Sequence, residues 1–298
     1  MGAVYQIDKG KFDEFKKHLK KLGFKFEVRP HQAFLARYDK FTVNLYESGK
    51  ITFGGVDQIQ NEVVWFLEKK LDGKSEDSVP GIGLEGKLRI GTDEVGKGDY
   101  FGPLVIAGVL VTAESEKKLL SASVRDSKLV RSDKRISEIA KAIISIVGKD
   151  CYEVVMIGPE RYNQLYEKLT NLNKLLGWAH ARAIENLLSR NKHCKLAIAD
   201  QFGDPDFINN ALMSKGKEIK LVQTHKGGRD IAIAAASILA RDRFIKALDR
   251  MSVEFDIEFP KGSGDQTRYA AGRFVEEYGR EELGKVAKLH FSLTDELD

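Results

Sequence analysis

The chain has 298 residues, 42% hydrophobic and 31% charged, with a formal net charge of +4. This balance excludes a disordered or fibrous chain and allows one or two domains with a sizeable core. No apolar run reaches the ~18 residues of a membrane span, and the opening MGAVYQIDKGKF is too charged for a signal peptide, so a cytoplasmic protein without membrane contact is expected.

Residues 8–22 carry Phe12, Phe15, Leu19 and Leu22 at helical spacing, which predicts a first helix. After Gly23 the pattern alternates: Phe24, Phe26 and Val28 on one face, Lys25, Glu27 and Arg29 on the other. Strand-like runs follow at Ala33 to Tyr38, Phe41 to Tyr46 and Ile51 to Phe53, the last two joined by the turn at 47–50. A helix from Val56 to Leu71 closes the unit. Residues 1–74 thus predict a small α+β domain with a four-stranded antiparallel sheet, one face covered and the other open. They hold 14 basic against 10 acidic residues, so the whole formal excess sits here. A basic accessory module that binds substrate and a solvated helix surface both explain it.

Residues 75–86, within the Gly- and Ser-rich stretch DGKSEDSVPGIGLEG, read as a linker. A second domain, 87–298, begins with the strand Leu88 to Asp93 and the apolar strand Leu104 to Val111. A helix capped by Ser132 runs to Ile146, the strand Tyr152 to Ile157 follows, and two helical segments cover 160–190. Next come the strand Lys195 to Asp200, a helix capped by Asp204, the strand Glu218 to Thr224, a helix from Asp230 to Leu248, and further helices over 265–288. This order is α/β, with a mixed sheet flanked by helices. Cys151 and Cys194 lack metal-type spacing and read as reduced thiols.

The stretch LRIGTDEVGKGDYFGP has a near-P-loop spacing, but Gly98 follows Lys97 where a P-loop needs a metal-binding hydroxyl. Its two acids, Asp93 and Glu94, end one predicted strand, and Asp200 ends another. Ligand sites in open α/β sheets form at such strand ends. Converging carboxylates without paired His or Cys suit hard divalent cations, Mg²⁺ or Mn²⁺. Each acid alone has a second explanation as a cap or a surface charge.

These residues resemble a known family. GTDEVGKGDYFGP resembles the first motif of the type 2 ribonucleases H, and with DSKL, YNQLYEKLTNLNKLLGWAH, AIADQF, IAIAAASILARD, FPKGSG and AKLHF the whole chain is similar to the ribonuclease HIII family. The amino-terminal YESGKITFGG resembles that family's substrate-binding domain, itself similar to half of a TATA-box-binding protein. The resemblance implies a ribonuclease H-like catalytic fold and an endonuclease, acting as a monomer, that cleaves the RNA strand of RNA/DNA hybrids with two metal ions. It implies metal-holding catalytic roles for Asp93, Glu94 and Asp200, and substrate contacts from Gly96, Lys97, Gly98, Ser127 and Lys128. The family carries a Glu ten residues before the serine of its AAAS motif, where this chain has Gly227. Asp230, three residues later, is nominated as the fourth acid on the premise that Gly227-Gly228 redirects it, with a helix N-cap as the competing role. His290 reads as a product-release, substrate-contact or structural residue. Two alternatives remain: incision at single ribonucleotides in DNA, and a catalytically weak hybrid-binding protein.

Overall fold

The structure is a computed structural model that describes residues 4–30, 32–55, 59–71, 74–75, 84–122, 124, 132–224 and 230–297. The chain divides into two compact units, Met1–Gly81 and Ile82–Asp298. Ser75, the first residue of the expected linker, forms a short strand of the first unit together with Lys74.

In the first unit the strands β1 (Val4–Gln6), β2 (Lys25–Glu27), β3 (Gln32–Tyr38), β4 (Phe41–Tyr46), β5 (Lys50–Gly54) and β6 (Lys74–Ser75) make one sheet in the order β2-β3-β4-β5-β1-β6. The described sheet is thus wider than the four strands expected. β1 and β6 have too few residues to show alternation, and β1 owes its place to antiparallel pairing with β5. Phe15 and Leu19 of α1 (Phe12–Lys21) and Val63 and Leu67 of α2 (Ile59–Lys70) share one buried cluster with Val43, Leu45 and Ile51 of the sheet. The alternate residues Thr42, Asn44 and Thr52 lie on the other face, with Arg37 paired to Thr42 and Asn44 to Thr52. Val28, expected inward, falls beyond β2 and is 89% exposed.

The second unit is built on the sheet β11-β10-β7-β8-β9. β7 (Arg89–Val95) pairs antiparallel with β8 (Leu104–Val111) and parallel with β10 (Leu196–Asp200); β8 pairs antiparallel with β9 (Tyr152–Ile157), and β10 parallel with β11 (Lys220–Thr224). Every residue of β8 is buried, because helices cover both faces. On one face lie α4 (Asp133–Val147) and α8 (Ile231–Phe255); on the other lies α6 (Leu172–Arg190).

Local chemistry sets most boundaries. The Ser132 hydroxyl caps α4 by accepting from Arg135 N–H. Thr170, in the left-handed region, and the cap Asn171 separate α5 (Pro159–Leu169) from α6. Asp204 accepts from the Asp206 amide at the start of α7 (Asp206–Ala211). α3 (Ala113–Ser121), outside the expected elements, is a short charged segment opened by a reciprocal Thr112–Ser115 capping box. α8 runs seven residues past Leu248, and α9 (Asp265–Tyr278) follows.

Candidate active site

β7 does not stop at Asp93, as the sequence suggested, because its ladder with β8 continues to Val95 opposite Val105. On its other edge the pairing with β10 ends at Thr92 opposite Ala199. Asp93 and Asp200 are the next residues along these two parallel strands, so they reach the same end of the sheet. Gly91 makes this arrangement possible. A Cβ there would sit 2.4 Å from the backbone of Ala232 and Ile233, so only glycine lets α8 lie this close to β7. The buried run Ile231 to Ala240 packs α8 onto the sheet and brings Ser237 to the Asp93 carboxylate as a hydrogen-bond donor.

The strand pleat sends the two adjacent acids to different partners. Asp93 is mostly enclosed by protein, and its carboxyl is pushed up to about 6 by burial and then by the charge of Glu94, against hydrogen bonds from Ser237 and the Glu94 amide. Burial would also raise Glu94, but the hydrogen bond and charge of His180, followed by Lys97, hold it below the usual carboxylate range. His180, on α6, is fully buried, with Nδ1 2.9 Å from Thr92 Oγ1 and Nε2 3.2 Å from Glu94 Oε2. Its ring stacks on Phe202 at 5.2 Å, and the Lys97 ammonium lies 5.6 Å from the same Phe202 ring. His180, Phe202 and Ser237 were outside the expected site; their one signal in the sequence is a histidine on an otherwise apolar helix face.

The glycine loop is tied to the C-terminal segments around Gly262 and Lys288. Gly96 has φ +97°, and a Cβ there would meet the Pro103 carbonyl at 2.2 Å, whereas Gly98 faces open space. Asp99 accepts from the Gly262 amide, and Tyr100 N–H donates to the Gly262 carbonyl. Lys288, fully buried, donates from Nζ to the carbonyls of Asp99 and Gly102 at 2.7 Å each and of Phe101 at 3.3 Å. Burial pushes this ammonium down to about 7, against the charge of Asp99. His290 stacks on Tyr166 at 4.3 Å, and burial and then Lys288 lower it. Ser127, Lys128 and Gly227-Gly228 lie outside the described residues.

Asp230 is not brought to the other acids. Its Oδ2 accepts from Arg89 Nε at 2.7 Å and its Oδ1 from the Ala232 amide at 2.8 Å, so it caps α8 inside a buried ion pair. The same guanidinium binds both oxygens of Glu116, and this triad joins β7, α3 and α8. Arg89 precedes Asp93 by four strand residues, or ~13 Å at the usual rise. A buried guanidinium without a carboxylate is costly, which holds Asp230 at that end.

Among the described residues, no three His, Cys, Asp or Glu side chains already form a metal-holding cluster. The donors nonetheless fit a hard divalent cation: Asp93, Glu94 and Asp200 offer only oxygen, and the mutual repulsion of Asp93 and Glu94 is what such an ion would relieve.

A family model described as ribonuclease HII matches residues 90–294, so the class that fold and site define is the type 2 ribonucleases H. Ribonuclease HIII of Protochlamydia amoebophila (strain UWE25) is 37% identical over 98% of this chain and 95% of its own length. That of Chlamydia pneumoniae is 37% identical over 94% and 92%. The crystal structure of Bst-RNase HIII in complex with Mn²⁺ superposes with a TM-score of 0.68 at 27% identity, covering 98% of this chain and 96% of that one. The chain belongs to the ribonuclease HIII family. Among the described residues no helix is long and apolar enough to cross a membrane.

Proposed function

We propose that this chain is an endoribonuclease that hydrolyses the RNA strand of RNA/DNA hybrids with Mg²⁺ or Mn²⁺, leaving 5′-phosphate and 3′-hydroxyl ends. The observation that supports this reading is the parallel pairing of β7 with β10, which ends at Thr92 and Ala199 and so puts Asp93, Glu94 and Asp200 next along the two strands at one sheet end, in a chain of the ribonuclease HIII family. Asp93, Glu94 and Asp200 would hold the ions. Bound there, a divalent pair supplies an activated water and neutralises charge on the scissile phosphate and the departing 3′-oxygen. The remaining work falls to the protein. Lys97, over the Phe202 ring and near Glu94, would meet a backbone phosphate in this reading. The open backbone at Gly98 admits close approach of the strand, where backbone groups can read 2′-hydroxyls and so tell RNA from DNA.

The first unit supplies substrate affinity in this reading. The sheet face away from α1 and α2 carries Lys25, Glu27, Arg37, Thr42, Asn44 and Thr52 around the buried Leu35, and residues 1–74 hold the chain's whole formal excess charge. All three acids come from one chain, which supports a monomer as the working form.

The test is incubation of the protein with labelled RNA/DNA hybrid, duplex RNA, and DNA bearing one ribonucleotide, each with Mg²⁺, Mn²⁺ or chelator. Hybrid cleavage that chelator abolishes is expected. Cleavage confined to the single-ribonucleotide substrate would replace the reading with HII-like incision, and binding without cleavage would replace it with a hybrid-binding role.

A further inference from the structure

We propose that His180 is a positioning residue that fixes the direction of the Glu94 carboxylate. The proposal rests on the reading of Glu94 as a cation-holding acid. A buried imidazole must satisfy two ring nitrogens, and here both partners come from one strand face, Thr92 and Glu94, two residues apart. The ring therefore spans the pleat of β7 like a rung. Its polarity is determined by its partners. An ionised Glu94 can only accept, so Nε2 donates to it, while Nδ1 lies within hydrogen-bond distance of the Thr92 hydroxyl, a group that can either donate or accept.

The surroundings show that the Thr92 hydroxyl is not needed for packing. The Thr92 methyl lies in an apolar layer with Ala183 and Leu187 of α6 around Gly108, a place that valine would fill equally well. A hydroxyl and an imidazole enclosed in such a layer are costly unless they bond each other. Phe202 then limits rotation of the ring by stacking on it, and Lys97 over Phe202 ties the brace to the glycine loop. Glu94 has a long, rotamer-rich side chain. With Oε2 held by His180, its other oxygen is left for the cation and the direction of the carboxylate is set before any ion arrives. Partners of this kind change metal affinity by about 10–100-fold when removed.

Mn²⁺ binding to the full chain, measured by calorimetry, tests this together with melting temperature and steady-state cleavage of hybrid. His180→Gln places an amide nitrogen near the Nε2 position and can still donate to Glu94; His180→Asn reaches Thr92 but falls short of Glu94. Mn²⁺ affinity should fall by about 10-fold or more in His180→Asn and by only about 3-fold in His180→Gln. Turnover should fall in the same order, with KM for hybrid unchanged. Equal effects of the two variants, or wild-type Mn²⁺ affinity in His180→Asn, would overturn the proposal. If His180→Asn melts too low to assay, Thr92→Val serves instead, since it keeps the volume and removes only the hydroxyl; it should weaken Mn²⁺ binding by about 3-fold or more, and unchanged binding overturns the proposal. Glu94→Gln separates the two levels. If it binds Mn²⁺ like wild type, the assignment of Glu94 itself fails; if it binds weakly while His180→Asn does not, only the positioning role fails.

Discussion

The carboxylate of Asp230 sits 2.7 Å from Arg89 Nε, with both groups almost fully buried, and it is this pairing that withholds Asp230 from the acids at the other end of β7. Asp230→Asn keeps the cap on α8 but removes one of the two carboxylates around Arg89. Stability should fall by about 3 kcal/mol, the low end for breaking a buried pair because Glu116 remains. Asp230→Ala should cost about 1 kcal/mol more through the lost cap. Turnover per folded molecule should stay at the wild-type level in both. A loss of turnover by orders of magnitude at unchanged melting temperature would return Asp230 to the site.

Asp93 makes the opposite trade. It is enclosed beside Glu94 and titrates near 6, above the ordinary Asp value. Between roughly pH 4 and 6 the folded chain keeps a proton that the unfolded chain releases, so stability falls as pH rises through that window and the full cost persists above it. Asp93→Asn should therefore raise the melting temperature of chelator-treated protein at pH 7.5 and abolish hybrid cleavage. An unchanged or lower melting temperature would show that burial of this carboxylate costs nothing.

Gly96 and Gly98 should part company under the same substitution. Gly96→Ala puts a Cβ against the Pro103 carbonyl in a left-handed turn, at an expected cost of about 1–3 kcal/mol. Gly98→Ala meets no protein atom, so its melting temperature should not move. If the strand passes close to this backbone, KM for hybrid will rise in Gly98→Ala alone. A wild-type KM would remove Gly98 from the substrate contacts.

Deleting residues 1–81 should leave a folded protein, because the apolar clusters of the second unit are built from its own residues. Weaker hybrid binding with a shallower slope of log affinity against log salt is expected, since each lost phosphate contact removes a released counterion. Equal slopes for the two proteins would mean that the first unit is not a substrate handle.

Lys288 gives a pH dependence in the alkaline range. Its ammonium is pushed down to about 7, so between about 7 and the ordinary lysine value near ~10.4 the unfolded chain binds a proton that the folded chain lacks. This group's contribution to stability therefore rises with pH across that interval. Melting curves of wild type and Lys288→Met from pH 7 to 10 should diverge, with the extra rise present only in wild type. Parallel curves would show that the three carbonyls keep Lys288 charged throughout.

The sequence by itself marked most elements of the second unit, the helix starts at Ser132 and Asp204, and Asp93, Glu94 and Asp200 as acids at strand ends, because each rests on chemistry within a few neighbouring residues. Tertiary structure decided the rest. Whether β7 ends at Asp93 depends on how far β8 pairs with it, and β1 exists as a strand because β5 is there to receive it. Asp230 shows the limit most clearly: spacing along the chain brought it near the acid motif, but its destination was chosen by Arg89, 141 residues away, whose buried charge needs a carboxylate. The His180 contacts with Thr92 and Glu94 span 88 and 86 residues. No local pattern encodes such pairs, since a buried polar group selects its partner from whatever the packed helices and strands bring within hydrogen-bond reach.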